Sequence, residues 1–196
     1  DVMSTGFYCA RQAGIQPNEV YVVVGCGPVG LMAILGAREY GAEKVFAVDI
    51  IEDRLTVARS YGAIGLNPLK QDVPAVIMEA TRGLGAASVM EAVGRSSSMK
   101  AAYDLVRPGG IISSVGVCND VHFSFTPTQA YDKNLTLKVG RCPARYMMDQ
   151  LVPVVQEKKY KVDAIITHNL PMSDGALGYE IFDQKKDKSI KVLLTP

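Results

Sequence analysis

Residues Val20-Tyr21-Val22-Val23-Val24 run straight into Gly25-Cys26-Gly27-Pro28-Val29-Gly30, and no other stretch narrows the possible folds as much. Five β-favouring residues without polar alternation read as a strand covered on both faces, the habit of a parallel sheet. Glycines at G-x-G-x-x-G spacing then turn the chain into a helix. Gly25 allows the tight turn, Gly27 lets the backbone approach a pyrophosphate, and Gly30 lets helix and strand pack closely. Cys26 and Val29 fill the variable positions. Pro28 suits the first helical position, where its missing N–H leaves no bond unmade. The free N–H groups and positive dipole end of that helix face the phosphates. The unit reads as a dinucleotide site.

A glycine motif alone is weak evidence, because glycine turns are common. Here an apolar helical stretch follows, Val29 to Tyr40, and then a second strand, Val45-Phe46-Ala47-Val48-Asp49, that ends in a carboxylate. Asp49 lies 19 residues after Gly30, close to the spacing of about 20 at which such folds place a ribose-binding acid. A carboxylate accepts hydrogen bonds from both ribose hydroxyls and repels a 2′-phosphate, which favours NAD over NADP. Arg54 and Arg59 stand near enough in sequence to offset that preference. A second role for Asp49, capping the helix that follows from Glu52, is compatible with the first.

The rest of the chain continues the alternation. Helical patterns fall at Asp1–Ala13, Glu52–Tyr61, Val73–Thr81 and Met99–Val106, the last capped by one of three preceding serines. Strands fall at Ala63–Asn67, Ala87–Val93, Ile111–Val117 and Leu135–Val139, with a tight turn at Arg107-Pro108-Gly109-Gly110 and a loop over 118–133. Strands alternating with helices imply right-handed crossovers. The expected fold class is therefore α/β, a Rossmann doubly wound parallel six-stranded sheet of order 3-2-1-4-5-6. The coenzyme then lies across the carboxyl ends of the strands, touching the glycine turn, Asp49, the Val93-Gly94 corner and the Val115-Gly116-Val117 corner. After the sixth strand the pattern changes: a helix at Arg145–Lys158, a short strand at Ala164–His168, a helix from Ser173 as N-cap to Gln184, and a last strand at Ile190–Leu194. This divides the chain into residues 1–141 and a segment, 142–196, that needs a partner of its own.

Bulk properties exclude some functions. A net charge of +1 with interspersed signs offers no basic patch for nucleic acid or a membrane surface, and no apolar run suits a membrane span. Cys9, Cys26, Cys118 and Cys142 are scattered, which reads as reduced thiols in a cytoplasmic protein. His122 reads as a surface histidine and His168 as structural. Ser113 and Ser114 have no base nearby in sequence, so nucleophilic catalysis is not supported.

Taken together, Asp1-Val2-Met3-Ser4-Thr5-Gly6-Phe7, the glycine turn, Val48-Asp49-Ile50 with Arg54, Arg107-Pro108-Gly109-Gly110, Val115-Gly116-Val117, Gly140-Arg141-Cys142-Pro143, Ile166-Thr167-His168 and Lys188-Ser189-Ile190-Lys191 resemble the zinc-dependent medium-chain alcohol dehydrogenases. The likeness covers the coenzyme-binding domain and the C-terminal segment that returns to the catalytic domain. By that resemblance, the family's N-terminal catalytic domain is expected to lie upstream of this stretch. The resemblance implies an oxidoreductase that moves a hydride from an alcohol to NAD, with zinc polarising the alcohol oxygen. Asp1 then stands at the third catalytic zinc ligand, where many members carry cysteine. With the other ligands upstream, the chain alone is expected to hold no zinc site and to be inactive. Thr5 falls near the nicotinamide, Arg54 near the adenosine ribose, Val115 to Val117 along the nicotinamide ribose and carboxamide. Lys191 falls where the family often has an arginine on the pyrophosphate. The resemblance also implies a homodimer or homotetramer through an edge strand at 134–140, and a small alcohol, aldehyde or ketone as substrate.

Two alternatives stand beside it. One is a zinc-free quinone or enoyl reductase of the same superfamily, against which Asp1 counts. The other is a stand-alone dinucleotide-binding module without catalysis, which the lack of a complete acid–base or metal set within the chain favours.

Overall fold

In the computed structural model, which describes all of residues 1–196, eight helices alternate with eight strands. They are α1 (Val2–Gln12), β1 (Val20–Val24), α2 (Pro28–Glu39), β2 (Lys44–Val48), α3 (Glu52–Ser60), β3 (Ile64–Leu66), α4 (Val73–Ala80) and β4 (Ala86–Glu91). Then follow α5 (Ser96–Leu105), β5 (Val106–Ser114), α6 (Pro127–Asp132), β6 (Thr136–Val139), α7 (Ala144–Gln156), β7 (Ile166–Pro171), α8 (Gly175–Asp183) and β8 (Lys191–Thr195). Strands β1 to β6 form one parallel sheet in the order β3-β2-β1-β4-β5-β6, the doubly wound order that the alternation predicts.

The apolar run at β1 is explained by its place. It lies mid-sheet, with Val22 paired to Phe46 of β2 and Val89 of β4. Tyr21 and Val23 pack into a core under α1, α2 and α3, while Val22 and Val24 pack into a second core under α4 and α5. Burying one such side chain contributes about 1.5–3 kcal/mol, whereas an exposed pair such as Lys100–Asp104 contributes less than about 1 kcal/mol. Apolar packing on the two faces therefore outweighs the surface charges in holding the layers together.

Several local expectations are corrected. The turn Arg107–Gly110 lies inside β5, at a break of register against β4, and β5 ends at Ser114 rather than Val117. Within 118–133 there is a short helix, α6, with Thr126 and Gln129 capping its start reciprocally. That signature, Thr-Pro-x-Gln, is legible in sequence. Arg95, not a serine, holds the N-cap position of α5. Ser98 Oγ accepts the Arg95 N–H at 3.1 Å, and Asp120 Oδ2, from the loop after β5, accepts the Ser96 N–H at 2.7 Å. Asp174 rather than Ser173 precedes α8. Residues Val162–Ile165 form a 3₁₀ turn, so β7 starts at Ile166 and runs to Pro171.

Beyond β6 the chain builds a separate two-stranded parallel sheet, β7-β8, crossed by α8. It is nonetheless anchored to the larger body. Met147 and Leu151 of α7, with Ile165 and Ile190, join the core under α1 and α2. Tyr160 donates to Glu39 Oε2 at 2.8 Å, and Tyr61 donates to the Lys161 carbonyl at 2.8 Å. No helix is long and apolar enough to cross a membrane.

Helices α1 and α2 meet at Gly6, where a Cβ would lie 2.6 Å from the Ala33 backbone nitrogen and 2.5 Å from Met32 Cβ. Alanine is the better helix former by about 1 kcal/mol, but overpacking against backbone costs about 1–3 kcal/mol. The clash wins, and Gly6→Ala should lower the thermal midpoint by about 2–6 °C; calorimetry checks the sign. Thiol mapping offers a second check. Burial pushes the Cys9 thiol up to about 12, and burial, reinforced by the Asp49 charge, pushes Cys26 up as well. Both remain neutral thiols at pH 8, so iodoacetamide followed by peptide mass spectrometry should find the exposed Cys118 modified and Cys9 and Cys26 intact until the chain unfolds.

Candidate functional site

The carboxyl ends of β1, β2 and β4 open into a groove of about 1040 Å³, bordered by Gly25, Gly27, Asp49, Arg54 and Val93 among others. It lies where β1 and β4 sit side by side and the strand order reverses, the crevice that ligands of open α/β sheets use. The glycine turn is laced to its neighbours: Gly25 N–H donates to the Val48 carbonyl at 2.8 Å, and Ala92 N–H to the Val24 carbonyl at 2.9 Å. At Gly30 a Cβ would lie 1.7 Å from the Gly25 carbonyl oxygen, so any side chain there would push α2 off the turn. Gly27 is the N-cap of α2 and brings no side chain to the helix start. The first N–H groups of α2 are therefore left for an anion.

Asp49 follows β2 and is 8% exposed. Its Oδ2 accepts the Cys26 N–H at 2.7 Å and its Oδ1 accepts the Ile51 N–H at 2.8 Å. It thus ties the glycine turn to the start of α3, while the N-cap position itself belongs to Ile51. Each carboxylate oxygen has a second lone pair free for a hydroxyl. Arg54 reaches back from α3. Its Nη1 lies 3.7 Å from Asp49 Oδ2, and a Cβ on Gly27 would lie 3.9 Å from the same nitrogen. Its buried Nε has no hydrogen-bond partner. A guanidinium beside the glycine turn with an unmatched donor suits an anionic or hydroxyl-rich ligand.

The second corner is organised by Glu91, which the sequence reading passed over. It ends β4 with no exposed surface. Oε1 accepts the N–H groups of Val93 and Gly94 at 2.8 and 2.7 Å, and Oε2 accepts the Ser114 hydroxyl at 2.7 Å. A lone acid in the apolar run Ala86–Val93, at the carboxyl end of a buried strand, was the available signal. Val115, Gly116 and Val117 lie outside the groove's lining, as does Gly94, the residue after the lining Val93; a Cβ on Gly94 would lie 2.5 Å from the Val117 carbonyl oxygen.

The remaining sequence-predicted residues separate. Lys191 lines a different cavity of about 230 Å³ between α8 and β8, with Tyr179 and Phe182; Lys185 is the C-terminal lysine that borders the groove. His122 is exposed. Asp1 is exposed at the N-cap of α1, and its Oδ1 accepts only the Thr5 hydroxyl, at 3.2 Å. Zinc takes three or four protein ligands, and no three His, Cys, Asp or Glu side chains come together here. The residues of this chain do not by themselves make a zinc site.

Comparison with known proteins gives the chain its relatives. A family model described as zinc-binding dehydrogenase matches residues 28–157. A zinc-type alcohol dehydrogenase B of Aspergillus flavus is 38% identical over 199 residues, an alignment that takes in 97% of this chain and 46% of that protein. A probable zinc-binding alcohol dehydrogenase of Mycobacterium tuberculosis is 35% identical over 196 residues, covering 100% of this chain and 50% of that one. Among solved structures, an alcohol dehydrogenase of Thermus sp. ATN1 superposes with a TM-score of 0.94 at 35% identity, over 100% of this chain and 56% of that chain. The chain spans about half the length of the curated relatives it matches. With matching motifs, sheet order and relatives, the chain belongs to the zinc-binding, medium-chain alcohol dehydrogenase family, as its C-terminal coenzyme-binding part.

Proposed function

We propose that this chain is the NAD-binding part of a zinc-dependent oxidoreductase that takes a hydride from a small alcohol, a CH–OH donor. The observation that carries the reading is the Asp49 carboxylate, held by two backbone N–H groups beside an uncapped helix start and an unmatched guanidinium. The start of α2 and the glycine turn hold the pyrophosphate. Asp49 accepts the adenosine ribose hydroxyls, and Arg54 donates beside them. Val93, Val115, Gly116 and Val117 border the nicotinamide half. When bound, the nicotinamide supplies the hydride-accepting carbon; the protein supplies its position. Asp1 acts as a zinc ligand only together with residues of the remaining half that the relatives carry, so this chain alone binds coenzyme without turning over alcohol. Lys191 is a weaker candidate for the pyrophosphate than Lys185, which borders the groove.

Two further parts of the reading rest on surface features. Strand β6 is an open sheet edge whose Leu137 and Val139 are 37% and 62% exposed. Such an edge is a template for a second strand, and a twin copy pairing there makes the homodimer or the dimer half of a homotetramer. Four free thiols suit the cytoplasm.

A fluorescence titration with NADH and NADPH tests the coenzyme assignment; the chain has no Trp to interfere. NADH should bind at least about tenfold tighter than NADPH, a difference of about 1.4 kcal/mol, because a 2′-phosphate would meet the Asp49 charge. Asp49→Asn should weaken NADH and narrow that gap; equal affinities in the unsubstituted chain would withdraw NAD. Arg54→Leu should weaken both coenzymes by about tenfold, the worth of one hydrogen bond to a charged group, while leaving the melting midpoint within about 2 °C. An unchanged affinity would remove Arg54 from the site.

A further inference from the structure

Glu91 is an expensive residue for its position. It is completely buried, it forms no ion pair, and an uncompensated buried carboxylate costs several kcal/mol. Its neighbours along β4 are apolar or small, and an apolar side chain would pack there without desolvation. Four donors converge on it instead: the N–H groups of Val93 and Gly94 and the hydroxyl of Ser98 on Oε1, and the hydroxyl of Ser114 on Oε2. The first three belong to the corner between β4 and α5. The fourth ends β5, immediately before Val115-Gly116-Val117. One carboxylate thus joins two corners that are far apart in sequence.

The corners are also in backbone contact over it. A Cβ on Gly116 would lie 2.2 Å from Gly94 N and 2.8 Å from Glu91 Oε2. Neither corner can shift without the other while Glu91 holds both. What they present outward is apolar: Val93 is 47% exposed and Val117 is 71% exposed. In a doubly wound sheet each half receives one mononucleotide. Asp49 marks the half built on β1 to β3, so these corners, at the ends of β4 and β5, face the other mononucleotide.

Resting on the reading of the groove as an NAD site, we infer that Glu91, acting through Ser114, is a positioning residue for the nicotinamide half of the coenzyme. It touches no ligand. It fixes the spacing of Val93 and Val117, so that the second mononucleotide meets a preformed apolar edge, while the adenosine half depends on Asp49 and the glycine turn.

The test separates the two halves of the ligand. Ser114→Ala cuts only the link to the β5 corner and leaves the three donors on Oε1. The unsubstituted and substituted chains are titrated with NADH by its fluorescence and with ADP by calorimetry. ADP carries the adenosine half alone. The expected result is that Ser114→Ala weakens NADH by about fivefold to tenfold, leaves ADP within about twofold, and returns the emission of bound NADH towards that of the free coenzyme. Glu91→Gln keeps the shape and lets the Ser114 hydroxyl accept from the amide, so it should retain most of the NADH affinity. Equal weakening of ADP and NADH would mean general loosening and would overturn the inference; so would NADH binding that Ser114→Ala leaves unchanged. If the unsubstituted chain binds ADP but gains nothing from the nicotinamide half, the inference fails while the adenosine site stands. If it binds neither, the reading of the groove falls first and this inference with it.

Discussion

Backbone N–H groups at the carboxyl ends of parallel strands have no ladder partner, and leaving them buried and unmatched costs about 1–3 kcal/mol each. In this chain two buried carboxylates take that role. Asp49 accepts the N–H groups of Cys26 and Ile51, and Glu91 accepts those of Val93 and Gly94. Each acid sits at the end of a strand that flanks β1 and also bonds the residue two positions after itself. The two halves of the sheet therefore end in matching devices, one on each side of the crevice. The shape of the groove depends on them, because the turns they hold are the walls.

The acids differ in what they leave open. Asp49 has the Arg54 guanidinium near it and lines the groove, so it can meet a ligand directly. Glu91 has all its contacts inside the protein and can influence a ligand only through the corners that it ties together. In the proposed reading, similar chemistry serves recognition on one side and spacing on the other, a difference that follows from burial and from the second partner of each carboxylate.

The C-terminal segment illustrates a different constraint. Its sheet has only two strands, too few for a stable unit in water, and its helix α8 leaves Tyr179 and Phe182 exposed at 77% and 44%. What holds the segment here is its contact with the larger body through Met147, Leu151, Ile165 and Ile190. The relatives are about twice as long as this chain.

Much of this was legible in sequence because it rests on short-range chemistry. The apolar run at β1, the glycine spacing, Pro28 and the acid at 49 each report a local requirement: burial on both faces, a tight turn, an open helix start, a strand end. Alternation of strands and helices, with right-handed crossovers, then sufficed for the sheet order. Other features depend on residues that meet across long stretches of chain. Glu91 looks like an isolated acid until β5 brings Ser114 beside it. Asp120 is a loop residue until it accepts the Ser96 N–H at the start of α5. Lys185 and Lys191 are equivalent charges in sequence, and only the fold puts one at the groove and the other in a separate cavity. The sequence by itself determined the doubly wound sheet and the anion-ready turn at Gly25 to Gly30, since these follow from backbone sterics and apolar periodicity. Only the tertiary structure decided which buried polar groups face one another, because the hydrogen bonds that make a buried carboxylate tolerable come from segments whose separation along the chain carries no local signal.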